Sequence, residues 1–297
     1  MGCDMISVKE YAYAKINLYL DVLSKREDGF HEIKTIMHTV SLADELTVSL
    51  SPAERTRIRI TVIGQSKLPT DSRNLAVKAA ELFLATTLIS AEVNIKLIKR
   101  IPVAAGLAGG STNAAAVLRA LNKAFKRPLT EKRLLEIAAE LGSDVPYCLL
   151  GGTALCFGRG EHIERLPERL HLNLVIAACD EHVSTPFAYS ELDRLYTDFK
   201  GEREDSSESY YNAIYSSVLS GDLKELKLYN IFENAIFPSY NGAEQIKEQM
   251  LNLGASHALM SGSGPSVYGI FNDRASAERA RDVFIKSGVR AYYAHTV

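Results

Sequence analysis

The sequence predicts an α+β protein built from two domains. Apolar residues stand at every second position over Tyr11–Leu23, a spacing that is typical of a β-strand. Farther along, apolar residues three and four positions apart predict helices, which alternate with short strands in the last third of the chain. The length of 297 residues suits about two domains. A change in composition near Pro167 sets their predicted boundary, which gives domains 1–166 and 167–297.

The first part of the chain is predicted to be rich in strands. Because side chains alternate across a strand, Lys15 and Asn17 lie on the face of Tyr11–Leu23 opposite its apolar residues. A lysine there is either solvated or functional, and the strand alone does not decide between them. The elements predicted next are the strands Ile33–Val40, Glu45–Leu50 and Arg57–Ile63, taken as antiparallel because their connections are short, then the helix Asn74–Leu88 and the strand Val93–Lys99.

A glycine-rich stretch follows at Ile101–Leu118, with the sequence IPVAAGLAGGSTNAAAVL. Gly106, Gly109 and Gly110 allow positive φ and a close approach of the backbone to a ligand. The Ser-Thr pair after them is of N-cap type, and a helix is predicted to run to about Phe125. The unpaired N–H groups and the dipole of such a helix favour an anion such as phosphate. On this stretch alone, a plain glycine-rich turn before a capped helix remains an open interpretation.

An aspartate stands at the next turn. A helix is predicted over Thr130–Leu141, and the turn GSDVP then places Asp144 between small residues. A carboxylate at this point serves either as a turn or N-cap residue or as a base. The strand Thr153–Phe157 and a short edge strand ending at Arg165 complete the first predicted domain.

The second predicted domain contains another glycine-rich turn, Ser261–Pro265. A helix is predicted to begin with Thr185 as its cap and Pro186 at its first position. The other elements predicted here are the strands Leu172–Ala178, Ala255–Met260, Ser266–Phe271 and Val289–His295, and the helices Tyr210–Leu219, Leu223–Tyr229, Gly242–Leu253 and Ala275–Lys286.

Composition and motif content argue against several classes of protein. A net charge of −2 gives no general attraction to nucleic acid or to an anionic membrane. No stretch approaches the ~18 apolar residues of a membrane helix, and MGCDMISVKE lacks the apolar core of a signal peptide, so a cytoplasmic location is expected. The four cysteines form no CxxC pair, and the motifs HExxH, GxSxG, GxGxxG and GxxxxGK[ST] are absent. A phosphate-type loop, a lysine, an aspartate and a second glycine turn remain, and these are the parts that phosphoryl transfer needs.

Three separated motifs resemble the GHMP kinase superfamily: AYAKINLYLDV, PVAAGLAGGSTNAAA and LMSGSGPSVYGIF. The resemblance implies a two-domain fold, with an N-terminal catalytic domain of mixed sheet and helices and a C-terminal ferredoxin-like α+β domain. Within the superfamily, the segments AKINLYLDVLSKREDGFHE, GSDVPYCLLGGTALCFGRGE and STPFAY are similar to those of kinases that act on a cytidine diphosphate-linked alcohol. The implied reaction is ATP-dependent phosphorylation of the 2-hydroxyl of 4-diphosphocytidyl-2-C-methyl-D-erythritol, in the non-mevalonate isoprenoid pathway.

The resemblance also implies roles for individual residues. Asp144 would take or orient the proton of the acceptor hydroxyl, and Asn17 would orient the acceptor. Lys15 would hold Asp144 ionised and stabilise charge on the transferred phosphoryl group. The residues implied to bind the cytidine substrate are Phe30 and Tyr189, whose rings would sandwich the cytosine, His31, which would hydrogen-bond to it, and Gly262 and Gly264, whose backbone would face it.

The glycine-rich loop would wrap the ATP phosphates, with Asn74 near the adenine. The residues implied to do so are Pro102, Val103, Ala104, Ala105, Gly106, Leu107, Ala108, Gly109, Gly110, Ser111 and Thr112. Alanine stands at 104, 105 and 108 where many family members have glycine, and Thr112 replaces the usual serine. Asn113 lacks the charge of an aspartate that would help hold magnesium, so Mg²⁺ would be held mainly by ATP phosphates and water. No metal site made of protein ligands alone is expected.

Two other interpretations stay open. One is a different small-molecule kinase of the same superfamily, of the homoserine or mevalonate type. The other is a non-catalytic binding or regulatory protein with this fold, against which the presence of both Lys15 and Asp144 argues. The expected partners are ATP and a small-molecule substrate rather than nucleic acid or membrane, and the protein would be a monomer or a homodimer.

Overall fold

The computed structural model describes residues 6–65, 67–179, 181–196 and 206–297. Their packing separates two compact units, each assembled from segments that are distant in the sequence. The first unit comprises the chain up to Ala14, Ala43–Val103 and Ala108–Leu150, and the second comprises Lys15–Leu42, Ala104–Leu107 and Gly151–Val297. The boundary predicted between residues 166 and 167 stays a prediction.

The first unit combines a mixed sheet with helices. Its elements are β1 (Ile6–Lys25) and β2 (His31–Pro52), which both continue into the second unit, β3 (Arg57–Ile63), α1 (Leu75–Thr87), β4 (Ala91–Ile98), α2 (Gly109–Ala124), α3 (Glu131–Leu141) and α4 (Val145–Leu150). The strand order is β3-β4-β2-β1. β2 runs antiparallel to β4, with Glu45 opposite Ile98, whereas β3 runs parallel to β4. Helix α2 is buried along most of its length and packs against α1 and α4.

One prediction for these strands is wrong. Ile33–Val40 and Glu45–Leu50 are not two antiparallel strands but belong to one strand, β2, because no glycine or proline interrupts the chain between them. β3 runs antiparallel to β2, as predicted, but β4 lies between them, parallel to β3, because helix α1 carries the chain back from β3 to β4. Helices α1 and α3 confirm the predicted segments and begin after the caps Asn74 and Thr130.

The second unit contains two sheets. The elements that follow α4 are the strands β5 (Thr153–Gly158), β6 (His162–Leu166), β7 (Asn173–Ala178), β8 (Tyr229–Asn230), β9 (His257–Met260), β10 (Val267–Phe271) and β11 (Arg290–His295), and the helices α5 (Thr185–Leu195), α6 (Ser206–Ser220), α7 (Phe232–Ile236), α8 (Asn241–Asn252) and α9 (Arg274–Lys286). One sheet has the order β6-β5-β2-β1-β8. The other is antiparallel, with the order β11-β7-β10-β9. Helices separate β7 from β9 and β10 from β11, which is the predicted ferredoxin-like pattern.

Two predictions in this unit are wrong in detail. The predicted helix Leu223–Tyr229 is absent from the described residues, because the chain there turns into the short strand β8 and pairs in parallel with β1 next to Tyr19. Helix α5 begins one residue earlier than predicted. The Ser184 hydroxyl accepts a first-turn N–H at 3.3 Å and is the cap, so Thr185 is helical and Pro186 takes the second position.

A buried histidine links β2 to β5 in the second unit. His38 is 1% exposed, and its Nδ1 lies 2.8 Å from the Thr153 hydroxyl oxygen. Burial lowers the pKa of His38, and smaller contributions from nearby carbonyl groups and from Glu168 oppose that shift. The neutral imidazole is therefore the form that the fold favours.

Stability is expected to fall as the pH drops below about 6.5, the pKa of an unfolded histidine. Because its pKa is lower in the folded state, the contribution of neutral His38 is complete above that value and is lost as the pH falls below it. The slope for this one group reaches at most about 1.4 kcal/mol per pH unit. Urea unfolding across this range should show a smaller slope for His38→Asn and an unchanged slope for His182→Asn, an exposed control. Equal slopes for wild type and His38→Asn would contradict the assignment.

Candidate active site

Lys15 and Asn17 form the centre of a hydrogen-bonded group in the second unit. Both lie where β1 is buried, with exposures of 5% and 2%, so Lys15 is not a solvated strand lysine. Lys15 Nζ donates to Asn17 Oδ1 at 2.6 Å, and the same oxygen accepts the Gly262 N–H at 3.0 Å. Asn17 Nδ2 donates to the Thr35 hydroxyl at 2.8 Å. The ammonium is thus held by an amide that is itself fixed on both sides.

The glycine-rich turn between β9 and β10 lies against this group. The Ser261 hydroxyl donates to the Gly106 carbonyl at 3.0 Å, which joins the two glycine-rich segments. Gly262 and Gly264 have φ of +57° and +81°. A Cβ on Gly262 would stand 2.9 Å from the Gly106 carbonyl oxygen, and one on Gly264 would stand 2.5 Å from the Met260 sulfur. Hydrogen is therefore the side chain that fits at both positions.

The first glycine-rich loop leads into helix α2 without a side-chain cap. The helix begins at Gly109, and its N-cap residue is Ala108, which makes no side-chain capping hydrogen bond. The predicted capping role of the Ser-Thr pair is wrong, because Ser111 and Thr112 lie inside the first turn. The Thr112 hydroxyl instead donates to the Tyr13 carbonyl at 2.7 Å. The first-turn N–H groups and the helix dipole can therefore serve an anion.

Two alanines of this loop adopt the conformation that favours glycine. Ala104 and Ala108 have φ of 52° and 55°, beside Gly106 at 73°. Alanine in place of glycine at these two positions therefore leaves the loop in the same backbone conformation, at the cost of local strain. Of the other residues predicted to wrap the ATP phosphates, Pro102, Ala105 and Leu107 are buried, whereas Val103 and Gly110 are exposed.

Substitutions at Ala108 are expected to report this strain. Ala108→Val should lower the unfolding free energy by roughly 1–2 kcal/mol, because a β-branched side chain is unfavourable at positive φ. Ala108→Gly should stay within about 1 kcal/mol of wild type, since relief of strain offsets the greater entropy of the unfolded chain. Denaturant unfolding of the three proteins measures the difference. A valine variant as stable as the glycine variant would contradict the conformation at this position.

Asp44, which sequence reasoning did not single out, accepts hydrogen bonds in the first unit from residues before and after the glycine-rich loop. It is fully buried and accepts two successive backbone N–H groups just after β4, at 2.6 and 2.8 Å. It also accepts from the Lys99 ammonium and from Asn113 Nδ2, the latter at 2.8 Å. Burial lowers the pKa of Lys99, and Asp44 opposes that shift. A carboxylate inside an apolar strand segment was the signal available in the sequence.

Asn74 and Asp144 are the other predicted site residues of the first unit. Asn74 caps α1: its Oδ1 accepts a first-turn N–H at 3.1 Å, and its Nδ2 donates to the Pro69 carbonyl at 2.9 Å. Asp144 is half-buried, and its main-chain carbonyl accepts the Cys148 N–H at 3.0 Å where α4 begins. Its catalytic pairing with Lys15, which belongs to the second unit, stays a prediction.

His31 and Tyr189 are in direct contact in the second unit. Their rings stack with centroids 4.6 Å apart and planes 25° apart. His31 Nε2 lies 2.7 Å from Asp193 Oδ1, and Lys25 Nζ donates to Asp193 Oδ2 at 2.6 Å. Burial acts to raise the pKa of Asp193, but these two hydrogen bonds bring it below its usual value. Sequence reasoning missed Asp193, although it lies one helical turn after Tyr189 on α5.

Phe30 has a different neighbour. Its ring is about half exposed and follows the turn at Asp28-Gly29. The guanidinium carbon of Arg159 lies 4.9 Å from the ring centroid, within the range of a cation–π contact. The sandwiching of a cytosine by Phe30 and Tyr189 stays a prediction.

The described part of the chain contains neither a metal-binding cluster nor a membrane-spanning helix. Across residues 6–65, 67–179, 181–196 and 206–297, no three His, Cys, Asp or Glu side chains are grouped in a way that would hold a metal ion. Over the same ranges, no helix combines the length and the apolar character that crossing a bilayer requires.

Comparisons with known proteins cover nearly the whole chain. Residues 74–152 match the family model for the GHMP kinases N terminal domain, and residues 215–290 match the model for the GHMP kinases C terminal domain. A relative from Caldicellulosiruptor bescii, named 4-diphosphocytidyl-2-C-methyl-D-erythritol kinase, is 43% identical over 94% of this chain and 96% of its own length. A crystal structure of 4-(cytidine 5'-diphospho)-2C-methyl-D-erythritol kinase matches with a TM-score of 0.78 at 31% identity, covering 97% of this chain and 99% of that one. A homoserine kinase from Cytophaga hutchinsonii, at 21% identity and a TM-score of 0.71, covers 98% of this chain and 94% of its own, and shares the fold.

Proposed function

The chain belongs to the GHMP kinase family, and from that premise we propose that it transfers the γ-phosphoryl group of ATP to the 2-hydroxyl of 4-diphosphocytidyl-2-C-methyl-D-erythritol. The observation that carries the proposal is the close similarity, over almost the full length, to a kinase named for that substrate. The GHMP fold predicted from the sequence is confirmed by both family models and by the structural match. The reaction would be a step of the non-mevalonate isoprenoid pathway, in the cytoplasm, carried out by a monomer or a homodimer.

The alternative kinases are not favoured. The homoserine kinase match is too distant in sequence to indicate more than a common fold. A non-catalytic role is not favoured either, because the relatives over most of this chain are named as kinases. The proposed assignment of residues 1–166 to catalysis and 167–297 to a C-terminal domain follows the same family.

GHMP kinases use ATP together with Mg²⁺, and the N-terminus of α2 suits the ATP phosphates. Its first-turn N–H groups have no side-chain cap, and the positive φ at Ala104, Gly106 and Ala108 bends the loop before it. Asn113 has no charge with which to hold a cation, and its amide nitrogen donates to buried Asp44 at 2.8 Å. Bound Mg²⁺ would be held mainly by ATP oxygens and water, and would neutralise phosphate charge.

In the proposed mechanism, the chain positions the two substrates and supplies one base and one cation. Asp144 would accept the proton of the acceptor hydroxyl, and Lys15 would stabilise the charge that develops on the transferred phosphoryl group. The fixed hydrogen bond from Lys15 to Asn17 supports this role, because a preorganised ammonium does not have to reorient during the reaction. Asn17 would orient the acceptor indirectly, because its side chain fixes the positions of Lys15 and Gly262.

The cytidine end would be bound in the second unit. The stacked rings of His31 and Tyr189 offer an aromatic face, and the Asp193 carboxylate fixes the orientation of the imidazole. His31 would hydrogen-bond to the cytosine, with its ring held in place by the Asp193 carboxylate at 2.7 Å. Phe30 would supply the second ring, and Gly262 and Gly264 would present backbone to the substrate.

Phosphorylation of a set of candidate alcohols tests the proposal. With ATP and Mg²⁺ supplied, we expect turnover of 4-diphosphocytidyl-2-C-methyl-D-erythritol, with kcat/KM at least about 10⁴-fold above that for mevalonate or homoserine. The product should carry the new phosphate on the 2-hydroxyl, as read by ³¹P NMR. Turnover of mevalonate or homoserine without turnover of the cytidyl alcohol would refute the proposal.

A further inference from the structure

A buried asparagine holds the glycine-rich turn that lies against Lys15. Asn230 ends strand β8, just before helix α7, and is 4% exposed. Its Nδ2 donates to the Met260 carbonyl at 2.7 Å and to the Gly262 carbonyl at 2.8 Å. Its Oδ1 accepts the Phe232 N–H at 3.0 Å. Both amide protons and the amide oxygen are therefore used, a pattern that a carboxylate or an aliphatic side chain cannot reproduce.

A carboxylate on α7 also holds Met260, the last residue of β9. Glu233 Oε1 accepts the Met260 N–H at 2.9 Å, and its Oε2 accepts from Lys247 Nζ at 2.5 Å. Burial raises the pKa of Glu233, and the hydrogen bond and charge of Lys247 counteract that shift. Met260 thus has its N–H fixed by Glu233 and its carbonyl fixed by Asn230. The segment Asn230–Glu233 is a clamp on the start of the turn, and we call it the α7 clamp.

The clamped turn leads directly to Lys15. Gly262 is held at its carbonyl by Asn230, and its N–H donates to Asn17 Oδ1 at 3.0 Å. That same oxygen accepts the Lys15 ammonium at 2.6 Å. The Asn17 side chain in β1 therefore accepts hydrogen bonds from both the turn and Lys15. A Cβ on Gly262 would lie 3.3 Å from Lys15 Nζ, so a small shift of this residue reaches the ammonium.

We propose that Asn230 is a positioning residue for Lys15. By fixing Gly262, it keeps the Gly262 N–H on Asn17 Oδ1 and so keeps that oxygen turned towards the Lys15 ammonium. Without Asn230, the left-handed Gly262 is free to rotate, and the Asn17 amide loses one of the two donors that define its orientation. The proposal rests on the proposed function in that Lys15 acts on the transferred phosphoryl group.

Steady-state kinetics with a double-mutant cycle test the functional half of this proposal. Asn230→Ala is expected to lower kcat by about 10- to 100-fold, with KM for ATP changed less than about threefold, because misplacing a catalytic group affects the transition state. In an Asn17→Ala background, the same change should cost less than about threefold, since the connection is already broken. Phe284→Leu, at a core position on helix α9, controls for a general loss of stability and should leave kcat near wild type. Equal losses from Asn230→Ala in both backgrounds would overturn the proposal.

Amide hydrogen exchange tests the structural half and does not depend on activity. In Asn230→Ala, the peptide containing Gly262 should exchange at least about tenfold faster than in wild type, whereas in Phe284→Leu it should not change selectively. Glu233→Gln keeps an acceptor oxygen for the Met260 N–H and should preserve this protection better than Glu233→Leu. Unchanged exchange at Gly262 in Asn230→Ala would overturn the proposal. An inactive wild-type protein with the expected exchange pattern would refute the proposed function and leave the α7 clamp established.

Discussion

Replacement of Asp144 by asparagine is expected to lower kcat by roughly 10²–10⁴-fold, the usual contribution of a general base. Asparagine keeps the size of the side chain but cannot accept the hydroxyl proton, so the loss should fall on kcat and not on binding. ATP affinity, measured by calorimetric titration, should stay within about threefold of wild type, because the phosphate loop does not include this side chain. The start of helix α4 should also persist, since Asp144 contributes its main-chain carbonyl there.

A matched control tests whether the loss of a carboxylate elsewhere on the surface also lowers kcat. Glu140→Gln makes the same chemical change at an exposed carboxylate near the end of α3 and should leave kcat unchanged. Asp144→Glu restores a carboxylate one methylene farther out and should recover part of the activity. Full activity in Asp144→Asn would exclude Asp144 as the base and remove the central step of the proposed mechanism.

The sequence predicted the parts of the fold that depend on local pattern. Period-two spacing in β1 put Lys15 and Asn17 on the same face, and the structure joins them by a hydrogen bond. The antiparallel C-terminal sheet and its helices followed from alternating periodicities, and Thr130 was recognisable as a cap from its side-chain chemistry. These features are set by residues within about ten positions of each other, which is the range over which periodicity is informative.

Features that depend on distant partners were not predictable from local pattern. Asp44 accepts hydrogen bonds from the residues just after β4 and from α2, and no single window of sequence contains that set. Asn230 connects to Gly262 across 32 positions, and Tyr229, the first residue of the short strand β8 that carries Asn230, was predicted as the end of a helix. The cap of α2 was misplaced because Ala108 adopts a positive φ that alanine seldom adopts without tertiary support. Contacts that override propensity leave little trace in single-sequence reasoning.

The substitution Gly106→Ala is expected to disrupt both glycine-rich segments of the site. At φ +73°, a Cβ on residue 106 would stand 1.9 Å from the Ser261 carbonyl oxygen and 3.2 Å from the Gly264 nitrogen. These are backbone atoms, so relief requires one of the two segments to move. Left-handed strain and overpacking together should lower the unfolding free energy by roughly 2–5 kcal/mol.

Activity should fall for a reason that stability does not explain. The Ser261 hydroxyl donates to the Gly106 carbonyl, and in the turn that begins at Ser261 the Gly262 N–H donates to Asn17. Moving the loop would therefore displace Asn17, the residue that holds Lys15. We expect kcat/KM to drop at least about 10²-fold at a temperature where Gly106→Ala is still folded, as judged by circular dichroism. Gly110→Ala is the matched stability control, because its Cβ would meet only a leucine methyl group, at 3.5 Å, and the unfolding free energy should change by less than about 1 kcal/mol. If Gly106→Ala unfolds no more easily than Gly110→Ala and retains activity, the two glycine-rich segments do not meet as described, and the support of Lys15 through Gly262 falls with them.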